Sequence, residues 1–165
     1  GSVETQTTRI RNEDAPAIVI ANPMSKHYGC ARWSLIPGLL SVEETSRRAI
    51  YPHRLFEVGE VARKDPDNSY GSRTDILATV MEASEDASLS AIQSYLEALA
   101  YYSGFDYELR PLDHPTYLPG RAGEIVSNGQ VYGMLGEIHP EVLDNWGIAV
   151  PVSTFEVDIA IADQT

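Results

Sequence analysis

Asn128-Gly129 is the pair that most constrains how this chain can fold. It stands between two runs in which apolar and polar residues alternate, GEIVS and QVYGMLGEI. An Asn-Gly pair readily supplies the two left-handed residues of a type I′ turn, so residues 123–138 are expected to form a tight antiparallel hairpin. A second hairpin is written upstream. RLFEVGEVA alternates, with Leu55, Glu57, Gly59 and Val61 on one face and Phe56, Val58 and Glu60 on the other. KDPDNSYGS (64–72) is a polar turn, and TDILATVMEA (74–83) reads as the returning strand. Two hairpins make antiparallel pairing the centre of the fold.

Helices are placed around that centre by other signals. Pro37 suits a first helical turn, Leu39, Leu40 and Val42 follow, and Glu43/Glu44 before Arg47/Arg48 suggests a charge order that complements a helix dipole over 37–49. Pro52 marks its exit. Leu89, Ile92, Leu96 and Leu99 recur at helical spacing within 88–103, and Gly104 is the expected cap. AIVIA (17–21), ended by Asn22-Pro23, reads as a short buried strand, FDYELRPL (105–112) as another, and 151–161 as the last. The order is strand, helix, hairpin, helix, strand, hairpin, short helix, strand. The fold class is α+β, an antiparallel β-sheet flanked by helices. With 165 residues, 43% of them hydrophobic, the chain suits one domain over 3–165, the opening Gly1-Ser2 reading as a cloning remnant on a piece of a longer protein.

GEIHPEVLDNWG (136–147) carries Glu137, His139, Glu141 and Asp144 and resembles a reactive cluster. Local chemistry explains it otherwise. His139 precedes Pro140 and is biased out of helix, Pro140 fits a first helical turn, Glu141 suits the dipole, Gly147 ends the helix, and Val142, Leu143 and Trp146 are left for packing. It is a strand-to-helix joint around a helix 140–146.

No motif elsewhere speaks for catalysis. Asp65-x-Asp67-x-Ser69 begins like a calcium loop but has Tyr70 where the glycine belongs and Ile76 where the bidentate acid belongs. Gly129, Gly133 and Gly136 do not make G-x-G-x-x-G, and neither a P-loop nor a G-x-S-x-G elbow occurs. His27, His53, His114 and His139 lack ligand spacing, so no metal site is expected. Cys30 is alone, which excludes an internal disulfide framework and suits a small buried hydrophobe in a reducing, cytoplasmic setting. No apolar run approaches the ~20 residues of a membrane span.

The charge is lopsided: 24 Asp plus Glu against 12 Lys plus Arg. Such a surface repels phosphate, which disfavours direct nucleic-acid binding, and it suggests a host living at high salt. After Arg121 no Lys or Arg follows, while Glu124, Glu137, Glu141, Asp144, Glu156, Asp158 and Asp163 remain.

Four fragments in register carry a family resemblance. ANPMSKHYGCARWSLIPGLL, RLFEVGEVA, LPGRAGEIVSNGQVYG and MLGEIHPEVL resemble the corresponding stretches of phenylalanyl-tRNA synthetase beta subunits, from about Ile20 to Phe155. The resemblance implies a class II aminoacyl-tRNA synthetase-like core from a halophilic archaeon. It implies a non-catalytic module of an alpha–beta heterotetramer, packed against the alpha subunit and the rest of the beta subunit and meeting tRNA only through the holoenzyme. ATP and magnesium are then expected at the alpha subunit, with no cofactor and no catalytic residue in this domain.

The residues agree with lost catalysis. A class II site needs an arginine two residues from a glutamate on one strand face. Arg54 and Glu57 are three apart and so face opposite ways. Such a site also needs a late glycine-rich strand followed by a second arginine. Gly133-Met134-Leu135-Gly136 is followed by none. Subunit contact is expected from Arg32, Trp33, Leu35, Ile36, Leu39, Leu40 and Arg121, the two arginines as structural ion pairs. Tyr101 and Tyr102 are expected to pack rather than stack on bases. Two rival readings are a stand-alone ligase of the biotin or lipoate type and a regulatory module holding an amino acid.

Overall fold

A computed structural model describes residues 1–164, without the side chains of Lys26 and Gln164. Both expected hairpins are present. β3 (His53–Lys64) and β4 (Ser72–Ala83) pair residue for residue across their whole length, from His53 opposite Ala83 to Lys64 opposite Ser72. β6 (Tyr117–Ser127) and β7 (Gln130–Ile138) are joined by Asn128 and Gly129, whose φ angles of 49° and 79° are the left-handed pair the turn requires. With β5 (Glu108–Pro111) and β8 (Val152–Asp158) they form one six-stranded antiparallel sheet in the order β3-β4-β8-β7-β6-β5. Gly133 is needed inside it, because a Cβ there would overlap the backbone carbonyl of Glu156 on β8.

Each face of the sheet carries its own core. Helix α2 (Ile36–Ser46), helix α4 (Pro140–Trp146) and the N-terminal segment cover part of one face, burying Trp33, Ile36, Leu40, Met81, Tyr117, Val142 and Trp146. Helix α3 (Leu89–Ser103) lies on the other with Ile92, Leu96, Ile125, Leu135 and Phe155. Ser88 caps α3 through the Ala91 amide, and Gly104 closes it with φ 75°. The α+β class and antiparallel sheet flanked by helices are as read from the sequence. The joint at 136–147 is also as expected: His139 is extended, its Nδ1 accepts from the Glu141 amide, and Gly147 ends α4 in the left-handed region.

Several expectations are corrected. The 17–21 segment makes only β1 (Ile18–Val19), paired with β2 (Cys30–Ala31) outside the main sheet, and Val19 and Ile20 are exposed rather than buried. Helix α2 stops at Ser46, so Arg47 and Arg48 lie beyond it and Glu43 and Glu44 fall in its second half. The dipole argument therefore does not apply. Glu43 is instead fully buried, accepting from Tyr51 Oη at 3.1 Å and bonded to His53 Nδ1 at 2.8 Å. Two elements carry no expectation from the sequence: helix α1 (Val3–Gln6), capped by Ser2, and a 3-10 turn over Thr8–Ile10. The Gly1 terminus donates to the Cys30 carbonyl at 3.1 Å. The last strand ends at Asp158 and passes into 3-10 turns over Ile159–Gln164.

Candidate functional site

The helices leave part of each sheet face open, and the two openings differ. On the α2/α4 face lies a crevice of about 430 Å³. Its floor follows from strand register. Thr79, Glu156, Met134, Glu124 and Arg110 are successive partners across β4, β8, β7, β6 and β5, and alternation sends their side chains to this face. Asp158, two residues beyond Glu156, lies opposite Leu77 and lines the same space.

Glu156 is 3% exposed, and its Oε2 accepts from the Leu35 amide at 2.8 Å, Thr79 Oγ1 at 2.9 Å and Ser34 Oγ at 3.1 Å. The carboxylate thus fastens the start of α2 to the sheet, where an acid also suits the dipole. Burial pushes its pKa above the ordinary carboxylate value, opposed by those three donors and by Arg63.

The crevice also holds cations that the linear charge count did not place there. Arg63 and Arg73 are cross-strand partners near the tip of the β3–β4 hairpin, and Lys64 follows at its exposed end. No Lys or Arg follows Arg121 in the sequence, but the β3–β4 hairpin, paired to β8 through β4, brings cations to the C-terminal carboxylates. Arg73 Nε lies 2.8 Å from Asp75 Oδ1 and Arg73 Nη1 3.8 Å from Asp65, while Arg63 Nε is 3.6 Å from Asp75. Arg73-Thr74-Asp75 is the readable signal, a basic and an acidic residue at the spacing that shares a strand face. Its guanidinium is already committed within the hairpin. Arg54 and Glu57 do face opposite ways, Arg54 toward Glu82 at 3.5 Å and Glu57 toward Arg32 at 2.6 Å.

The α3 face is open in another way. Helix α3 packs on β4, β7 and β8 but leaves β3, the edge strand, uncovered. Phe56 and Val58 are 78% and 60% exposed there, beside Val80, Tyr95, Leu99 and Tyr102, and they line an apolar groove. Tyr101 and Tyr102 are both exposed, so the packing role expected for them is absent within this chain.

The residues expected at a subunit contact do not form one patch. Trp33, Leu35, Ile36, Leu39 and Leu40 are each 5% exposed or less, and they pack beneath α2 in the domain's own core. Arg32 and Arg121 are surface residues in ion pairs, Arg32 with Glu57 and Arg121 with Glu137 at 3.9 Å. Glu137, from the cluster at 136–147, receives the Leu89 amide at the start of α3. Cys30 is buried and burial raises its thiol pKa. Among the described residues no group of His, Cys, Asp and Glu could hold a metal ion, and no helix is long and apolar enough to cross a membrane.

An antiparallel sheet with helices on both faces and an open crevice on one of them defines an α+β domain. Residues 3–159 match the family described as the phenylalanyl tRNA synthetase beta chain CLM domain, and the chain belongs to that family. It is 37% identical over 159 residues to the phenylalanine–tRNA ligase beta subunit of Treponema pallidum subsp. pallidum, covering 96% of this chain and 26% of that protein. The beta subunit of Thermococcus kodakarensis is 37% identical over 146 residues (88% and 25%), and that of Borrelia garinii subsp. bavariensis 36% over 159 residues (96% and 28%). The chain spans about a quarter of the length of these curated relatives.

Proposed function

We propose that this chain is a non-catalytic, class II synthetase-like module of a phenylalanine–tRNA ligase beta subunit, packed in the cytoplasm against an alpha subunit that activates phenylalanine. The observation that carries the reading is the composition of the crevice floor. Glu156 and Asp158 line the crevice floor, and Arg63 and Arg73 are tied to Asp75 and Asp65. A triphosphate would meet buried negative charge before it met a free guanidinium. ATP and magnesium are accordingly assigned to the alpha subunit. A high-salt host is proposed on surface charge alone.

Docking is assigned to the apolar groove between β3 and α3, because an exposed apolar patch on so acidic a chain marks an interaction surface and the family supplies an alpha partner. The chain alone is expected to show no ATP–pyrophosphate exchange, and robust exchange by purified protein would overturn the reading. Surface plasmon resonance against the alpha subunit should give saturable binding that Phe56→Glu weakens at least about tenfold. Unchanged binding by Phe56→Glu would instead assign the groove to the remaining polypeptide of the beta subunit.

A further inference from the structure

Two stripes border the apolar groove and run side by side. On β3, alternation sends Arg54, Phe56, Val58 and Glu60 to the α3 face, and all four are exposed. On α3, Tyr95, Ala98, Leu99 and Tyr102 line the groove at helical spacing, a second stripe beside the buried Ile92, Leu96 and Ala100. A stripe of that period on the flank of a helix fits another helix packed alongside, and Ala98 leaves room for close approach.

The dimensions agree. The uncovered strip consists of β3 and the near side of β4, where Ala78 and Val80 complete the lining, roughly two strand spacings or 10 Å across. One helix has about that diameter. From Arg54 to Glu60 the strip runs roughly 20 Å, the length of about 13 helical residues. A strand fits less well. Added to the edge of β3, it would leave Phe56, Val58 and the α3 stripe uncovered. Arg32 also meets that edge already, its Nε donating to the Glu60 carbonyl at 2.8 Å and its own carbonyl accepting from the Ala62 amide at 2.9 Å.

Charge gives a direction. Arg54, loosely held by Glu82 at 3.5 Å, stands at one end of the strip, and Glu60, with no ion-pair partner among the described residues, at the other. The negative end of a helix dipole is favoured beside the arginine and the positive end beside the glutamate. Helix α3 starts at the Arg54 end, because the Leu89 amide donates to Glu137, which lies in a cross-strand row with Ser153, Glu82 and Arg54. A helix oriented by these charges therefore runs antiparallel to α3.

We propose that the groove receives one amphipathic helix of the alpha subunit, about four turns long, laid on β3 antiparallel to α3 with its C-terminal end at Arg54 and its N-terminal end at Glu60. The inference rests on the docking assigned above and adds the form and direction of the docked element.

Photo-cross-linking in the assembled ligase tests it, with Phe56→p-benzoylphenylalanine in one preparation and Val58→p-benzoylphenylalanine in another. Both should capture a single alpha segment at helical spacing, the sites reached from position 56 lying C-terminal to those reached from position 58. Capture at alternate residues, in scattered alpha segments or in the reverse order overturns the helix while leaving the docking in place. Capture of no alpha peptide overturns both. Plasmon resonance checks the end charges: Arg54→Gln and Glu60→Gln should each weaken binding of the alpha subunit roughly two- to fivefold at low ionic strength, with the loss fading in molar salt. Undiminished affinity in both variants overturns the assigned direction.

Discussion

One face of the sheet is left open as a polar crevice and the other as an apolar groove, though both are built from the same strands. The difference comes from what closes each face. On the crevice side, α2 is only 11 residues long and is anchored at its first turn by Glu156, so it covers the sheet from that carboxylate toward His53 and no further. On the groove side, α3 runs 15 residues over β4, β7 and β8, and β3 extends beyond its reach. Polar chemistry remains where a helix start needed an acid, and apolar surface remains where a strand outran its helix. The first opening is lined by charged side chains, the second mainly by apolar ones.

The comparison can be broken at the closed halves first, where effects are largest. Trp146→Ala on the crevice side should cost about 3–5 kcal/mol and Leu96→Ala on the groove side about 2–5 kcal/mol by chemical denaturation, since both side chains are buried in their cores. A loss below about 1 kcal/mol at either position would mean that face lacks an independent core.

Glu156→Gln gives an intermediate effect whose sign depends on pH. Burial raises the folded pKa above the ordinary 4.5, so the folded chain binds the proton more tightly than the unfolded chain. The stability this confers is fully present below pH 4.5 and lost as pH rises through the folded pKa. The glutamine variant lacks that loss. Its melting temperature should exceed the parent's at neutral pH, and the advantage should shrink toward a pH of about 4. A constant difference across the range would place the burden on packing rather than charge.

Phe56→Ser sits at the other extreme. The ring is mostly solvent-exposed, so the isolated chain should change by no more than about 0.5 kcal/mol. A larger loss would show that the groove is already occupied by part of the domain.

Legibility in the sequence follows the range of the interaction. Asn128-Gly129, Pro140 with Gly147, and the α3 stripe ending at Gly104 act within a few residues, and each locates its element closely. Glu43 misleads because its partners, Tyr51 and His53, lie beyond the helix, and charge order alone makes it look like a dipole companion. The apolar segment 33–40 is an anchor, but periodicity cannot say whether the anchor is internal, and it is. The crevice is hidden most completely. Its cations come from β3 and β4 and its acids from β4, β6 and β8, and only the register of the assembled sheet places them together. Counting charges along the C-terminal third cannot find an arginine delivered by a hairpin tip.

The edge strand β3 has a consequence for the isolated chain. Arg32 meets its outer edge only at Glu60 and Ala62, and Phe56 and Val58 lie on an open face, with Arg54 and Glu60 among them as the charges that discourage stacking. An isolated copy of the chain displays that face to solvent. A second copy could lay its own strand along what remains of the edge, so Arg54 and Glu60 are the charges that hold separate chains apart.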